Sequence, residues 1–299
     1  MFWRRRPKVH KWARKGRTKR LVDALSYRDH VIDRLGRVYD LGTSVRRDAA
    51  LALATVAECD EPDVGAALMR SLNDPSVQVR RAAAEALATR RDRRAVPALT
   101  EAALSWNGRY EPARAAALEA LAALAGADTA QTVVTTVVER GDSMARLADV
   151  LDVTIEGDGN DSAEAVTAAI LALARDEAAA ERAAEILVWL GADSVEPLID
   201  WLDGGGRSVP AIRALGKLRD LRATDELVRL LSEHDLEVRR AAAEALGDIC
   251  DPRARGPLCE ASRDLDYRVR QAALSALQKL GPPPLSAEVV TSADADHGY

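Results

Sequence analysis

In DPSVQVRRAAAEAL (74–87) the apolar residues Val79, Ala82, Ala83, Ala86 and Leu87 recur three and four positions apart, while Arg80, Arg81 and Glu85 fall between them. That spacing lays one apolar stripe along one face of an α-helix. The pattern returns in HDLEVRRAAAEALGDI (234–249) and DLDYRVRQAALSAL (264–277). Weaker copies begin at Ser44 (SVRRDAALAL), Pro112 (PARAAALEAL), Met144 (MARLADVL) and Ala180 (AERAAEILVWL). Aligned on the valine, the copies stand at Val45, Val79, Ala113, Ala145, Ala180, Arg207, Val238 and Val269, at intervals of 34, 34, 32, 35, 27, 31 and 31 residues. A period of that size marks a solenoid, in which no unit buries its apolar face alone.

Each period reads as two helices. Ser76, Asp235 and Asp266, three residues ahead of the valine, carry the side-chain oxygens that cap a first turn, and Gly247 and Gly281 are expected to close the helices. The second helix follows a turn and carries Pro97, Pro197 or Pro257 near its start, where a missing amide removes no helical bond. Within the first twenty residues, Val9, Trp12 and Ala13 share a helix face, Gly16 ends it, and Leu21, Val22, Ala24 and Leu25 open the next face. This segment is expected to shield the end of the array.

The expected organisation is a basic arm and capping helix over 1–20, a solenoid over 21–281 and a disordered tail over 282–299. The tail GPPPLSAEVVTSADADHGY opens on a proline run and continues in small and polar residues.

Composition agrees with close helix packing: 47% of the residues are hydrophobic, yet the chain has one Phe and draws much of its apolar content from Ala. Net charge is -5, but the first twenty residues hold ten Lys or Arg and no acid, so positions 21 to 299 carry -15. An acidic body opposes sequence-independent binding to duplex DNA, which needs many phosphate-neutralising cations. Three cysteines without CxxC spacing, Cys59, Cys250 and Cys259, indicate neither a disulfide framework nor a zinc knuckle, and a cytoplasmic location is expected. No apolar run is long enough to span a membrane.

DPSVQVRRAAAEALATRRDRRAVPAL and LEVRRAAAEALGDICDPRARGPL resemble short bacterial HEAT repeats, the type also found in phycobilisome lyases. The resemblance covers about residues 18 to 281 and implies an all-α, HEAT-like, armadillo-like solenoid of about eight helical hairpins in a curved superhelix. It further implies that the Val-Arg helices line the concave face. Arg46, Arg80, Arg114, Arg146, Arg239 and Arg270 would then form an interior ladder. Two roles stand open for it: pairing with acids of neighbouring repeats, such as Asp74, Glu233 and Asp264, or binding a partner.

Other candidate chemistry is sparse. His10, His30, His234 and His297 are scattered without an HExxH or His-Glu pair, which removes an iron site like that of deoxyhypusine hydroxylase. EGDGNDSAE (156–164) lacks the Gly and Glu that a calcium loop needs at its sixth and twelfth positions, so it is expected to be a solvated turn with Asp161 or Ser162 capping the next helix. No metal and no cofactor are expected. Trp106, Arg109 and Tyr110 form a loop cluster of the residue types enriched at binding hot spots. WLDGGGRSVP (201–210) reads as a hinge or flexible turn, and Trp189 and Trp201 as core residues. Arg4, Arg5 and Arg6 form a basic arm suited to acidic protein, nucleic acid or anionic membrane.

The function expected is a non-catalytic scaffold that docks a protein or peptide partner. A bilin lyase-like chromophore handler and a HEAT-like nucleic-acid binder are the alternatives.

Overall fold

The computed structural model describes residues 6–32, 34, 37–56, 62–105, 112–140, 144–155 and 160–282. The chain divides into two compact units, residues 1–197 and 198–299. The first contains α1 (Val9–Ala13), α2 (Thr18–Ala24), β1 (His30–Ile32), β2 (Val38–Asp40), α3 (Thr43–Val56), α4 (Pro62–Ser71), α5 (Val77–Arg90), α6 (Val96–Ser105), α7 (Pro112–Ala123), α8 (Ala127–Arg140), α9 (Met144–Thr154), α10 (Asn160–Ala172) and α11 (Glu177–Leu190). In sequence α12 (Val195–Asp203) crosses the division, and the second unit continues with α13 (Val209–Leu218), α14 (Thr224–Leu230), α15 (Leu236–Ile249), α16 (Arg255–Ala261) and α17 (Tyr267–Lys279).

Helices of the Val-Arg type stack on one another: α3 on α5, α5 on α7 and α7 on α9 in the first unit, α13 on α15 and α15 on α17 in the second. The paired helices α4, α6, α14 and α16 pack against α5, α7, α15 and α17. Val79, Val238 and Val269 are fully buried at the seam, with alanines and the leucines Leu87 and Leu246 buried beside them. At the N-terminal end α1 and α2 both pack on α3, burying Val9, Trp12, Leu21 and Ala24. Arg20 lies over the Trp12 ring at 5.9 Å, so a basic residue covers the one aromatic of this layer without losing its solvation.

The turn joining the two helices of a repeat uses one device three times. Arg91, Arg219 and Cys250 adopt the left-handed conformation at φ 50°, 55° and 60°. The following Asp92, Asp220 and Asp251 each cap a short 3-10 turn, accepting from the backbone amide and the guanidinium of the arginine two residues on. A non-glycine residue in this region costs about 1 kcal/mol. The aspartate-arginine clamp offsets that cost. The arginine partner holds the Asp92 and Asp220 carboxyls below the ordinary range; for Asp251, burial acts upwards, and the bonds from Arg253 and Thr224 outweigh it.

Several sequence expectations change. Asp235 and Asp266 do cap their helices by accepting from Glu237 and Arg268 amides, whereas Ser76 occupies the cap position without a side-chain cap bond. Gly247 lies inside α15 rather than closing it, and Cys250 is the C-cap. Its role is close approach: a Cβ on Gly247 would lie 2.8 Å from Ala276 Cα, and one on Gly216 would lie 2.9 Å from Ala245 Cα. Asp161 and Ser162 lie inside α10 rather than capping it, and Ser162 Oγ donates to Asp193.

The triple glycine is an ordered helix end rather than a hinge. Gly206 N–H donates to Trp201 O and Gly205 N–H to Leu202 O, with Gly205 at φ 102°, which is a Schellman closure. The Trp201 ring lies so close to Gly206 that an added Cβ would meet it. Trp189 and Trp201 are half-buried, at the edge of the core rather than within it.

Candidate interaction surface

The arginine ladder is wired into the repeats. Arg46 is fully buried. Its Nε and Nη2 donate to the two Asp74 oxygens at 2.8 and 3.0 Å, its Nη2 to Asp40 Oδ2 at 2.6 Å, and its Nη1 to Tyr27 O at 3.0 Å. Burial disfavours the Arg46 charge, but the two aspartates outweigh it and raise its pKa, while Arg46 holds the Asp40 carboxyl below its ordinary value. Arg114, also buried, donates to Ala103 O at 2.9 Å and to Asp149 Oδ2 at 3.1 Å.

Further along, one geometry repeats. Nη1 of Arg80, Arg239 and Arg270 reaches back to the carbonyls six and five residues earlier: Asp74 and Pro75, Glu233 and His234, Asp264 and Leu265. Arg239 meanwhile grips the next repeat's Asp264 at 2.9 and 3.2 Å, as Arg46 grips Asp74. Arg207 pairs with Glu233 at 2.8 Å. Each loop acid therefore joins two repeats: the preceding arginine holds its carboxylate, and its own repeat's arginine holds its carbonyl.

This geometry turns the ladder's donors onto its own and neighbouring repeats. Arg46 and Arg114 have no face toward solvent, and the half-buried Arg80, Arg239 and Arg270 spend donors on their own loops. Arg6 is exposed and donates to Ser44 Oγ at 2.7 Å. The side chain of Arg146, and all of Arg4, Arg5, Trp106, Arg109 and Tyr110, lie outside the described residues.

A surface that sequence reasoning missed lies between α2 and α3. Strands β1 and β2 pair antiparallel, with His30 opposite Asp40, Val31 opposite Tyr39 and Ile32 opposite Val38. Alternation puts Val31 and Tyr39 on one face and Ile32 and Val38 on the other. Both faces are open: Ile32 is 68% and Val38 62% exposed, Val31 and Tyr39 each 46%, and the adjoining Leu41 53%. A two-stranded hairpin is marginal by itself. Here Asp40, on the Arg46 guanidinium, and the Leu41 N–H to Asp29 O bond at 2.7 Å fasten its base. The available signal was weak: two adjacent β-formers on each side of Gly36, Val31-Ile32 and Val38-Tyr39, without alternation.

Arg28, two residues before β1, lines a hollow of about 410 Å³ with Leu25, Asn73 and Asp74; it adjoins a second of about 610 Å³ that includes Thr18, Lys19 and Asp63. Val22, Asp23 and Arg70 line both, so α2 and α4 border one continuous trough. Among the described residues, no group of three or more His, Cys, Asp or Glu side chains is arranged to hold a metal, and no helix is long and apolar enough to cross a membrane.

A family model of HEAT repeats matches residues 29–122 and 208–278. Human deoxyhypusine hydroxylase in complex with glycerol is similar at 20% identity over 91% of this chain and 98% of that one, with a TM-score of 0.36. The complex of CpcE and CpcF of phycocyanin lyase from Nostoc sp. is similar at 21% identity over 91% of this chain and 79% of that one, with a TM-score of 0.31. A designed armadillo repeat protein is similar at 18% identity over 77% and 98%, with a TM-score of 0.29. At these values the likenesses carry nothing about activity. No curated protein matches the chain.

Proposed function

The chain belongs to the HEAT-repeat family, an all-α solenoid, and on that premise we propose that it is a non-catalytic scaffold that docks a protein partner through the β1–β2 hairpin and the adjoining α2–α4 trough. The observation that carries this reading is the hairpin: five large apolar side chains exposed together on an element with no core of its own. Clusters of this kind mark interaction sites on soluble proteins, whereas exposed apolar residues scattered singly do not. The buried Arg46 gives the hairpin a rigid base, so a partner covering it need not also order it. Charged side chains around the trough, Lys19, Arg28 and Arg70 beside Asp23 and Asp63, supply a polar rim.

In this reading the arginine ladder is the spine that sets repeat spacing, and docking falls to the surface beside it. A photocrosslinking residue placed at Ile32 should capture one partner in native lysate, and Ile32→Asp with Val38→Asp should abolish that capture in a pull-down while leaving helicity and Tm unchanged. Capture that survives the double substitution, but is lost when exposed positions of α5 and α15 are changed, would move docking to the Val-Arg helices and reject the hairpin.

A further inference from the structure

Besides its side chains, the hairpin exposes main-chain groups. Bonded and non-bonded residue pairs alternate along an antiparallel ladder, and the Leu41 N–H to Asp29 O bond sets which are which. Asp29 with Leu41 is one bonded pair, so Val31 with Tyr39 is the next, while His30 with Asp40 and Ile32 with Val38 are non-bonded. The N–H and C=O groups of His30 and Ile32 therefore point away from β2, along the outer edge of β1. Among the described residues no hydrogen bond reaches any of these groups.

Of the two outer edges, that of β1 is the open one. All of its residues are exposed, whereas β2 ends on the half-buried Asp40, committed to Arg46 and to the Gly42 amide. Sheet edges are ordinarily guarded against pairing by lysine, proline, a bulge or a covering element. His30, Val31 and Ile32 supply no such guard.

This edge is complementary to itself. A two-fold axis at Val31 brings β1 against β1 of a second copy, antiparallel, with His30 opposite the second copy's Ile32 and Val31 opposite its own equivalent. Each His30–Ile32 pair then exchanges both of its bonds, and the axis makes two such pairs, so every outward N–H and C=O finds a partner. A slip of one residue would set outward groups against inward ones. The side chains agree with this register. On one face Tyr39 and Val31 continue into Val31 and Tyr39 of the second copy as one apolar row, and on the other Val38 and Ile32 run on to its His30 and Asp40. Two marginal hairpins become one four-stranded sheet, beyond the roughly three strands that a sheet with an apolar face needs to hold together.

Taking the hairpin as the docking surface, on which this inference rests, we propose that its partner is a second copy of this chain, docked by pairing β1 with β1 across a two-fold axis at Val31. A contact this short falls below the roughly 1,000 Å² of a stable interface, so the dimer is weak and forms as concentration rises.

Sedimentation of the full chain from about 1 μM to about 1 mM should show the mass rising toward double. Cysteine substitution reads the register. Val31→Cys meets its equivalent across a non-bonded pair, with Cα atoms about 4.5 Å apart, and should crosslink into a dimer under mild oxidation. Ile32→Cys stands more than about 8 Å from its equivalent, beyond disulfide reach, and should crosslink at least about tenfold less. The wild type, with Cys59, Cys250 and Cys259, sets the background. Ile32→Pro deletes the outward N–H but keeps an apolar side chain, as an edge strand tolerates, and should weaken dimerisation at least about tenfold with helicity unchanged.

A chain that stays monomeric at about 1 mM overturns the proposal. So does a dimer in which Val31→Cys crosslinks no better than Ile32→Cys, because the copies then meet elsewhere. A monomer whose lysate capture is abolished by Ile32→Asp with Val38→Asp gives the edge to a different protein: the second copy is rejected and the hairpin stands. Capture that survives that double substitution is the separate failure of the hairpin itself.

Discussion

Arg46→Ala measures how much of the first unit hangs on one guanidinium. The arginine is fully buried, and its removal strands Asp74, 6% exposed, with Asp40 beside it. Breaking a buried pair by deleting one partner costs about 3–5 kcal/mol, because the remaining charge stays desolvated. Two contacts soften the loss: Arg28 Nη2 stays 3.3 Å from Asp74, and the Ser76 amide still donates to it at 2.9 Å. The low end, about 3 kcal/mol, is therefore expected, which for a unit of this size is a fall in Tm of about 6–12 °C. Urea melts followed by far-UV circular dichroism read the free energy directly. Arg81→Ala is the control, since its pair with Glu85 is exposed and screened by solvent. An Arg46/Asp74 double-mutant cycle should return a coupling above about 1 kcal/mol. A loss no larger than that of Arg81→Ala, or a cycle with no coupling, would refute the claim that the ladder holds the repeats together.

Three further outcomes follow from the geometry. Gly247→Ala should destabilise the second unit by about 1–3 kcal/mol in a denaturant melt, because the new methyl meets Ala276 at 2.8 Å, while Gly256→Ala, with nothing within 4 Å, should stabilise it by about 0.5 kcal/mol. Asp251→Ala should cost about 1–3 kcal/mol, since it removes the clamp on Arg253 and leaves the buried Thr224 hydroxyl without its 2.8 Å acceptor; an unchanged Tm would show the left-handed turn to be self-sufficient. Asp40, Asp92, Asp220, Asp251 and Asp264 all have carboxyls held below their ordinary range. Between the folded and unfolded values the unfolded chain binds more protons, so stability rises with pH there. It should be fully present above about pH 5 and fall progressively below the ordinary aspartate value near pH 4, with high salt shrinking the exposed contributions first.

How much of this was legible in the sequence depends on whether a feature is periodic. The stripe of Val79, Ala82, Ala83, Ala86 and Leu87 predicts a helix, and α5 covers it, because burial along a helix face leaves a 3.6-residue trace in any chain. Asp74, Glu233 and Asp264 were nameable as partners for arginines because they recur at the same offset. The hairpin left no such trace: strands of three residues with both faces exposed lack the alternation of buried and polar positions by which strands are recognised. Gly247 was misread for a related reason. A glycine near the end of a helical stripe has the same local signature whether it closes the helix or admits a neighbour, and only the position of Ala276, twenty-nine residues on, tells the two apart.

The same distinction bears on where function resides. A residue repeated at every period solves a problem that every period has, and in an array that problem is adhesion to the next unit. Arg46, Arg80, Arg114, Arg239 and Arg270 recur with the period, and Asp74, Asp149 and Asp264 and the loop carbonyls accept from them. A partner that distinguishes this chain from other repeat arrays has to read what occurs once. The hairpin of Val31, Ile32, Val38 and Tyr39 occurs once among the described residues. Selection for binding should therefore be sought at that break in the repeat, with Arg46 setting its support.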